Sequence, residues 1–169
     1  MIEWQFYPKS NILPVHLSDV IEKVFKTHET EIDSYNHTKN SNEVLNILCH
    51  DLQELGYQVE TGKTADQKIR VPVLFGRNGQ MEKSFDADSY SEKFSTVIEV
   101  EAGRGYTNYQ FLKDLFQACV MVNVDYLVIA IRNIYNNNKD FEKVNSFFDT
   151  LYSSEKFKLP LKGVLVIGY

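Results

Sequence analysis

A mixed β-sheet covered by helices on both faces is the architecture this chain predicts, and three observations carry the prediction. Apolar residues recur at helical spacing in four segments. Strand-length runs rich in β-branched and aromatic residues lie between those segments, and Tyr126 to Ile131 is continuously apolar, as strands buried on both faces are. Helical and extended segments that alternate in this way pack as an α/β layer structure.

The first helical pattern runs from about His16 to Asp33, with Val20, Ile21, Val24 and Phe25 at core spacing. In the second, Ser41 is the expected cap, Leu45, Leu48, Cys49, Leu52 and Leu55 form one stripe, and Gly56 marks the stop. Extended chain follows from Tyr57 to Glu60. Ile69 to Phe75 and Met81 to Tyr90 read as two strands joined at Asn78-Gly79, a strong hairpin signal. A polar turn near Ser91, Glu92 and Lys93 leads to a third strand, Ser95 to Glu101, which Gly103 and Gly105 end. Asn108 is the expected cap of a helix turning Phe111, Leu112, Leu115, Phe116, Cys119 and Val120 inward. A last helix spans about Phe141 to Tyr152, and Gly163 to Ile167 closes the order as a strand. The early connections are short enough to be antiparallel, while those running through helices permit parallel pairing.

With 169 residues, 43% of them hydrophobic, the chain suffices for one domain spanning residues 1–169. No run approaches a membrane span, and the opening MIEWQFYPKS lacks the basic start and apolar centre of a signal peptide, so a cytoplasmic location with no membrane partner is expected. Cys49 and Cys119 fall at apolar helix positions, where a free thiol behaves as a small hydrophobe. The formal net charge of −5 argues against bulk attraction to nucleic acid. Its distribution is uneven, however: Lys63, Lys68, Arg70, Arg77 and Lys83 face only Asp66 and Glu82, which leaves room for a local basic surface.

The sharpest chemical feature lies in FDADSYSEKFSTVIEVEAGRGY. Side chains alternate along a strand, so Glu99 and Glu101 point to one face and Ile98 and Val100 to the other. Asp86 and Asp88 share a face on the preceding strand, and parity alone does not choose between them. Carboxylates gathered this closely resist ionising together unless a cation offsets them. A hard ion such as magnesium suits oxygen ligands. An acidic hairpin face turned to solvent is the other reading of the pattern. The central place of the strand, with helices due on both sides, weighs against it.

An aspartate, ten intervening residues, then Glu-x-Glu on the next strand, a helix and an apolar strand together resemble the core of the PD-(D/E)xK nuclease superfamily. Here the motif is Asp88 followed by Glu99-Val100-Glu101, and the resemblance covers roughly residues 41–131. It implies a restriction endonuclease-like fold and metal-dependent hydrolysis of DNA. Asp88 and Glu99 would hold Mg2+, or Mn2+ in its place, with the Val100 carbonyl a further ligand and Asp86 the fallback. The ion would polarise the phosphate and acidify a water that Glu101 orients or deprotonates. A site of this kind cuts one strand, so a homodimer is implied for double-strand cutting.

The chain departs from the family at Glu101, where lysine is commoner, which leaves the general base open. Lys113, on the following helix, is either a displaced lysine or a solvated helix residue. Glu43 is either an extra acidic metal ligand or a carboxylate stabilising the helix N-terminus. Arg104 either grips a substrate phosphate or pairs with Glu101 or Asp114. His16, His28, His37 and His50 show no metal spacing with the cysteines or with one another. A regulatory or protein-interaction domain that keeps the fold without cleaving is the competing function, favoured by the acidic net charge and the absent lysine.

Overall fold

The computed structural model describes residues 1–103 and 105–169. Its centre is a six-stranded mixed sheet in the order β1-β8-β7-β6-β5-β2. Three parallel strands form the middle: β6 (Thr96–Glu101), β7 (Tyr126–Ile131) and β8 (Gly163–Gly168). Antiparallel strands flank them, β1 (Glu3–Tyr7) on β8, β5 (Ser89–Ser91) on β6, and β2 (Gln58–Val59) on β5. Each parallel connection runs through a helix, as the geometry of parallel pairing requires.

Strand parity sorts the core into two halves. Ile98, Val100, Val128, Ala130, Leu165 and Ile167 face a helical layer containing α1 (Val15–Asp19), a π-helical stretch (Val20–Phe25) and α3 (Ser41–Glu54), which the short α2 (Glu29–Ile32) precedes. Val97, Leu127, Ile129, Ile131, Val164 and Val166 face α4 (Gln110–Val120) and α5 (Asp140–Ser154). Leu45, Leu52, Phe111, Leu115, Val128 and Ile129, the residues the apolar stripes place inside, are all buried.

Several expectations are corrected. The chain begins with a strand, β1, before any helix. The helical pattern of residues 16–33 is realised in three pieces with a turn before Glu29, although Val20, Ile21, Val24 and Phe25 are buried as expected. Asn40, not Ser41, caps α3: its side chain accepts the Glu43 N–H at 3.1 Å while the Glu43 carboxylate accepts the Asn40 N–H at 2.7 Å. This reciprocal box satisfies two of the orphan donors of the helix start. Asn108 caps nothing, because α4 follows Tyr109 in the left-handed region (φ 54°) with no side-chain cap. Phe116 is exposed rather than inward, since the buried stripe of α4 is Phe111, Asp114, Leu115 and Ala118 and Phe116 falls one residue off it.

The expected strand from Met81 to Tyr90 is also two strands. β3 (Ile69–Phe75) and β4 (Met81–Ala87) form a separate two-stranded hairpin, turned at Asn78 (φ 59°) and Gly79 (φ 72°), and the chain then crosses through Asp88 into β5 of the main sheet. The amide of Val122 ties the hairpin to the end of α4 by donating to the Pro72 carbonyl at 2.8 Å. No helix of the described residues is long and apolar enough to cross a membrane.

Candidate metal centre

Because Val97, Glu99 and Glu101 share one parity, both glutamates project from β6 onto the sheet face that α4 covers. Extending the β5–β6 register by one residue beyond Ser89–Ile98 puts Asp88 opposite Glu99. A hydrogen bond locks this pairing: Asp88 Oδ2 accepts the Val100 N–H at 2.8 Å. The site is therefore built where the hairpin joins the sheet, and the break after Ala87 aims Asp88 inward.

These residues line a cavity of about 270 Å³. Glu99, Glu101 and the backbone of Val100 form its floor, Asp88 one wall, and Lys113, Asp114 and Gln117 of α4 the opposite wall. Ser41 closes the end, its hydroxyl accepting the Ala102 N–H at 3.0 Å. At the mouth Lys68 spans both oxygens of Glu60, at 2.9 and 2.8 Å, and stands 3.9 Å from Asp86.

Of the residues singled out in the sequence, Asp88, Glu99, Val100, Glu101, Lys113 and Asp86 are brought together. Asp86 sits at the exposed rim beside Lys68, so the inner position belongs to Asp88. Glu43 closes the α3 capping box with its carboxylate, the helix-start role of its two readings, and is not among the residues lining this cavity. Arg104 lies outside the described residues. Sequence reading left Asp114, Glu60 and Lys68 without a place in the site and Gln117 without a role. Asp114 carried a signal, because it occupies an i+3 position in the apolar stripe begun by Phe111, where a lone carboxylate is out of character. Glu60 and Lys68 carried none, since their meeting depends on how the chain folds between them.

Charge is packed densely here. Burial pushes the Asp88 carboxyl up to about 6, against its hydrogen bond from Val100. Burial, then the charges of Asp88, Asp114 and Glu101, lifts Glu99 well above the usual range. Glu101 is pushed up to about 8 by burial and by the neighbouring charge of Asp114. Asp114 is raised to about 6, again by burial, with Lys113 opposing. It is only 4% exposed, and its Oδ2 has no hydrogen-bond partner among the described residues. Four acidic oxygen donors around one cavity, one of them buried and unsatisfied, fit a hard divalent cation that neutralises them and keeps waters of its own. They do not fit a soft metal, which prefers sulfur or imidazole.

A second grouping lies elsewhere. His50, Asp51 and Glu54 of α3 have ligand atoms all within 4.8 Å of one another, a trio whose i, i+4 His–Glu spacing the sequence already contains. His28 Nε2 lies 2.8 Å from Asp51 Oδ2, and His28 Nδ1 lies 2.9 Å from Glu31. The network is satisfied by its own ion pairs on an open surface, His50 being 78% exposed.

No protein-family model matches this chain, and no curated protein matches it.

Proposed function

We propose that this chain is a metal-dependent nuclease that hydrolyses phosphodiester bonds of DNA, with a restriction endonuclease-like arrangement of its sheet and helices. The observation that carries the reading is the convergence of Asp88, Glu99, Glu101 and Asp114 with Lys113 on one cavity, including a buried carboxylate oxygen with no partner among the described residues. The order of elements and the Asp88, Glu99-Val100-Glu101 spacing support it.

In this reading Asp88 and Glu99 would hold Mg2+ or Mn2+, with the Val100 carbonyl available as a further donor and Asp86 serving the mouth. The ion supplies Lewis acidity toward the phosphate and the attacking water. Glu101 orients that water and takes its proton. Burial and the neighbouring carboxylates raise the Glu101 carboxyl above its ordinary value, and a bound cation would ionise it and leave it able to accept that proton. The water oxygen attacks phosphorus as the ester P–O bond breaks, and the leaving alkoxide takes up a proton from solvent water. Lys113 offsets charge accumulating on the phosphate oxygens. Lys63, Arg70, Arg77 and Lys83, on or beside the hairpin that leads into the site, supply backbone contacts to DNA. A homodimer would place two such sites for double-strand cutting.

The second reading, a regulatory or protein-interaction domain that retains this layout without cleaving, is favoured by one observation. Lys68, a cation at the cavity mouth, is already held by both oxygens of Glu60. Calorimetric titration with Mg2+ and Mn2+ and plasmid cleavage with a chelator control separate the two. The nuclease reading expects stoichiometric binding that is lost in Glu99→Ala, together with chelator-sensitive nicking. A folded chain that binds metal and never nicks DNA supports the second.

A further inference from the structure

Asp114 has a position that its place beside Glu101 does not explain. It lies on the apolar stripe of α4, between Phe111 and Leu115, where a carboxylate is costly to bury. Its Oδ2 is buried at the cavity wall and unpartnered among the described residues. Such an atom is expensive to leave unsatisfied, and the cavity it borders is otherwise walled by oxygen donors.

We infer that Asp114 is a metal ligand, reaching the cation from the helix side and so tying α4 to β6 through the ion. This rests on the cation site proposed above and extends it from the strand carboxylates to the helix. Asp88, Glu99 and Glu101 all belong to the sheet or its approach, whereas Asp114 belongs to the layer above. Lys113 is the other charged residue α4 contributes to the cavity wall, and Lys68, the other lysine lining the cavity, is held at its mouth by Glu60. A divalent ion bound between the two layers relieves the repulsion and gives Oδ2 its missing partner.

The consequence is mechanical as well as chemical. Without the ion, α4 is held over this corner of the sheet by Phe111, Leu115 and Ala118 against a repulsive acidic contact. With it, the same contact becomes a cross-link, and the first turns of α4 should open less often.

The test uses the full chain and Mn2+ alone, without nucleic acid. Calorimetry gives the affinity, and amide hydrogen exchange with and without Mn2+ gives the protection of residues 110–120. The parent should bind Mn2+ and gain protection there. Asp114→Asn keeps the shape and removes the charge. It should bind Mn2+ at least tenfold more weakly, lose the gain in α4 protection, and melt higher than the parent in chelator. Asp114→Glu keeps the charge and should retain more affinity than Asp114→Asn, so a poorly folded asparagine variant does not end the test. Unchanged Mn2+ affinity and α4 protection in Asp114→Asn overturn the inference. If Glu99→Gln still abolishes binding in that case, the cation site and the nuclease reading stand without Asp114. A role for Asp114 solely as partner of Glu101 or Arg104 predicts a lower melting temperature in chelator for Asp114→Asn, with metal binding intact. A parent that binds no Mn2+ removes both the inference and the cation site. A parent that binds through Asp114 but leaves DNA uncut removes only the nuclease reading.

Discussion

Glu101 is the residue at which the enzyme and non-enzyme readings part. Its backbone is fixed by pairing with Ile131, and the Tyr169 hydroxyl donates to its carbonyl at 3.1 Å, so its side chain can be changed without unseating the strand. If it handles the attacking water, Glu101→Gln should keep the fold and most of the metal affinity while lowering plasmid cleavage by about a hundredfold or more. Glu101→Lys restores the residue commoner in the superfamily that the motif resembles. It should preserve part of the cleavage and raise the melting temperature in chelator, because it replaces a repelling carboxylate with a cation. Cleavage by Glu101→Gln at the parental rate would remove Glu101 from the chemistry. At this scale the sequence was informative wherever strand parity applied. Asp88, Glu99 and Glu101 could be placed together because alternation dictates a shared face, and Lys113 because it follows on the next helix. Asp114 went unassigned because a single carboxylate in an apolar stripe looks like noise until the opposing wall is known. Glu60 and Lys68 meet through a route no local pattern encodes.

Elements were legible in proportion to their periodicity. The stripes of α3, α4 and α5 and the apolar run of β7 are long enough for the pattern to outweigh single residues, and their bounds fall close to expectation. β1 was missed because five residues with three aromatics show no sustained alternation, and its place is set by pairing with β8, which is distant in sequence. The division of the expected strand at Asp88 is not marked by a glycine or proline in the residues 81–90, and the aspartates there alternate as strand residues do. The break arises from competition between two partners, β3 for the first half and β6 for the second. Two substitutions test the elements directly. Asn40→Ala removes the cap of α3 and should cost about 1 kcal/mol by urea unfolding, with metal affinity unchanged because Glu43 is not at the site. Gly163→Ala should cost more, about 1–3 kcal/mol, because a Cβ there meets Phe6 Cζ at 2.4 Å and the Tyr7 carbonyl at 3.1 Å, where β1 lies against β8. A neutral Gly163→Ala would mean that β1 is not docked on β8 as described.

For the whole molecule, the acidic cavity sets how stability depends on pH, and divalent metal should reverse its sign. Burial and mutual repulsion raise the Glu101 carboxyl from 4.5 to about 8 and those of Asp88 and Asp114 from 3.8 to about 6, with Glu99 raised as well. A folded state that holds protons the unfolded chain has released is favoured at low pH. The contribution of these groups is therefore fully present below about pH 4 and lost as pH climbs through their folded values toward about 8. His28 adds in the same direction, because Glu31 and Asp51 hold its ring above the usual 6.5 despite partial burial, which opposes them. That network lies away from the cavity and should be indifferent to Mg2+. Bound cation selects the ionised carboxylates, so its stabilising effect must grow over the pH range in which the metal-free protein weakens. Melting temperatures in chelator should accordingly fall between about pH 5 and about pH 8, while the shift produced by saturating Mg2+ or Mn2+ should be small at the lower value and large at the upper. His28→Gln should flatten part of the metal-free slope and leave the metal-induced shift intact. Glu99→Gln should do the reverse, raising stability in chelator at about pH 8 and abolishing most of the metal shift. A metal shift of equal size at both pH values would mean that the ion does not bind through these raised carboxylates, which must give up protons across that range to receive it.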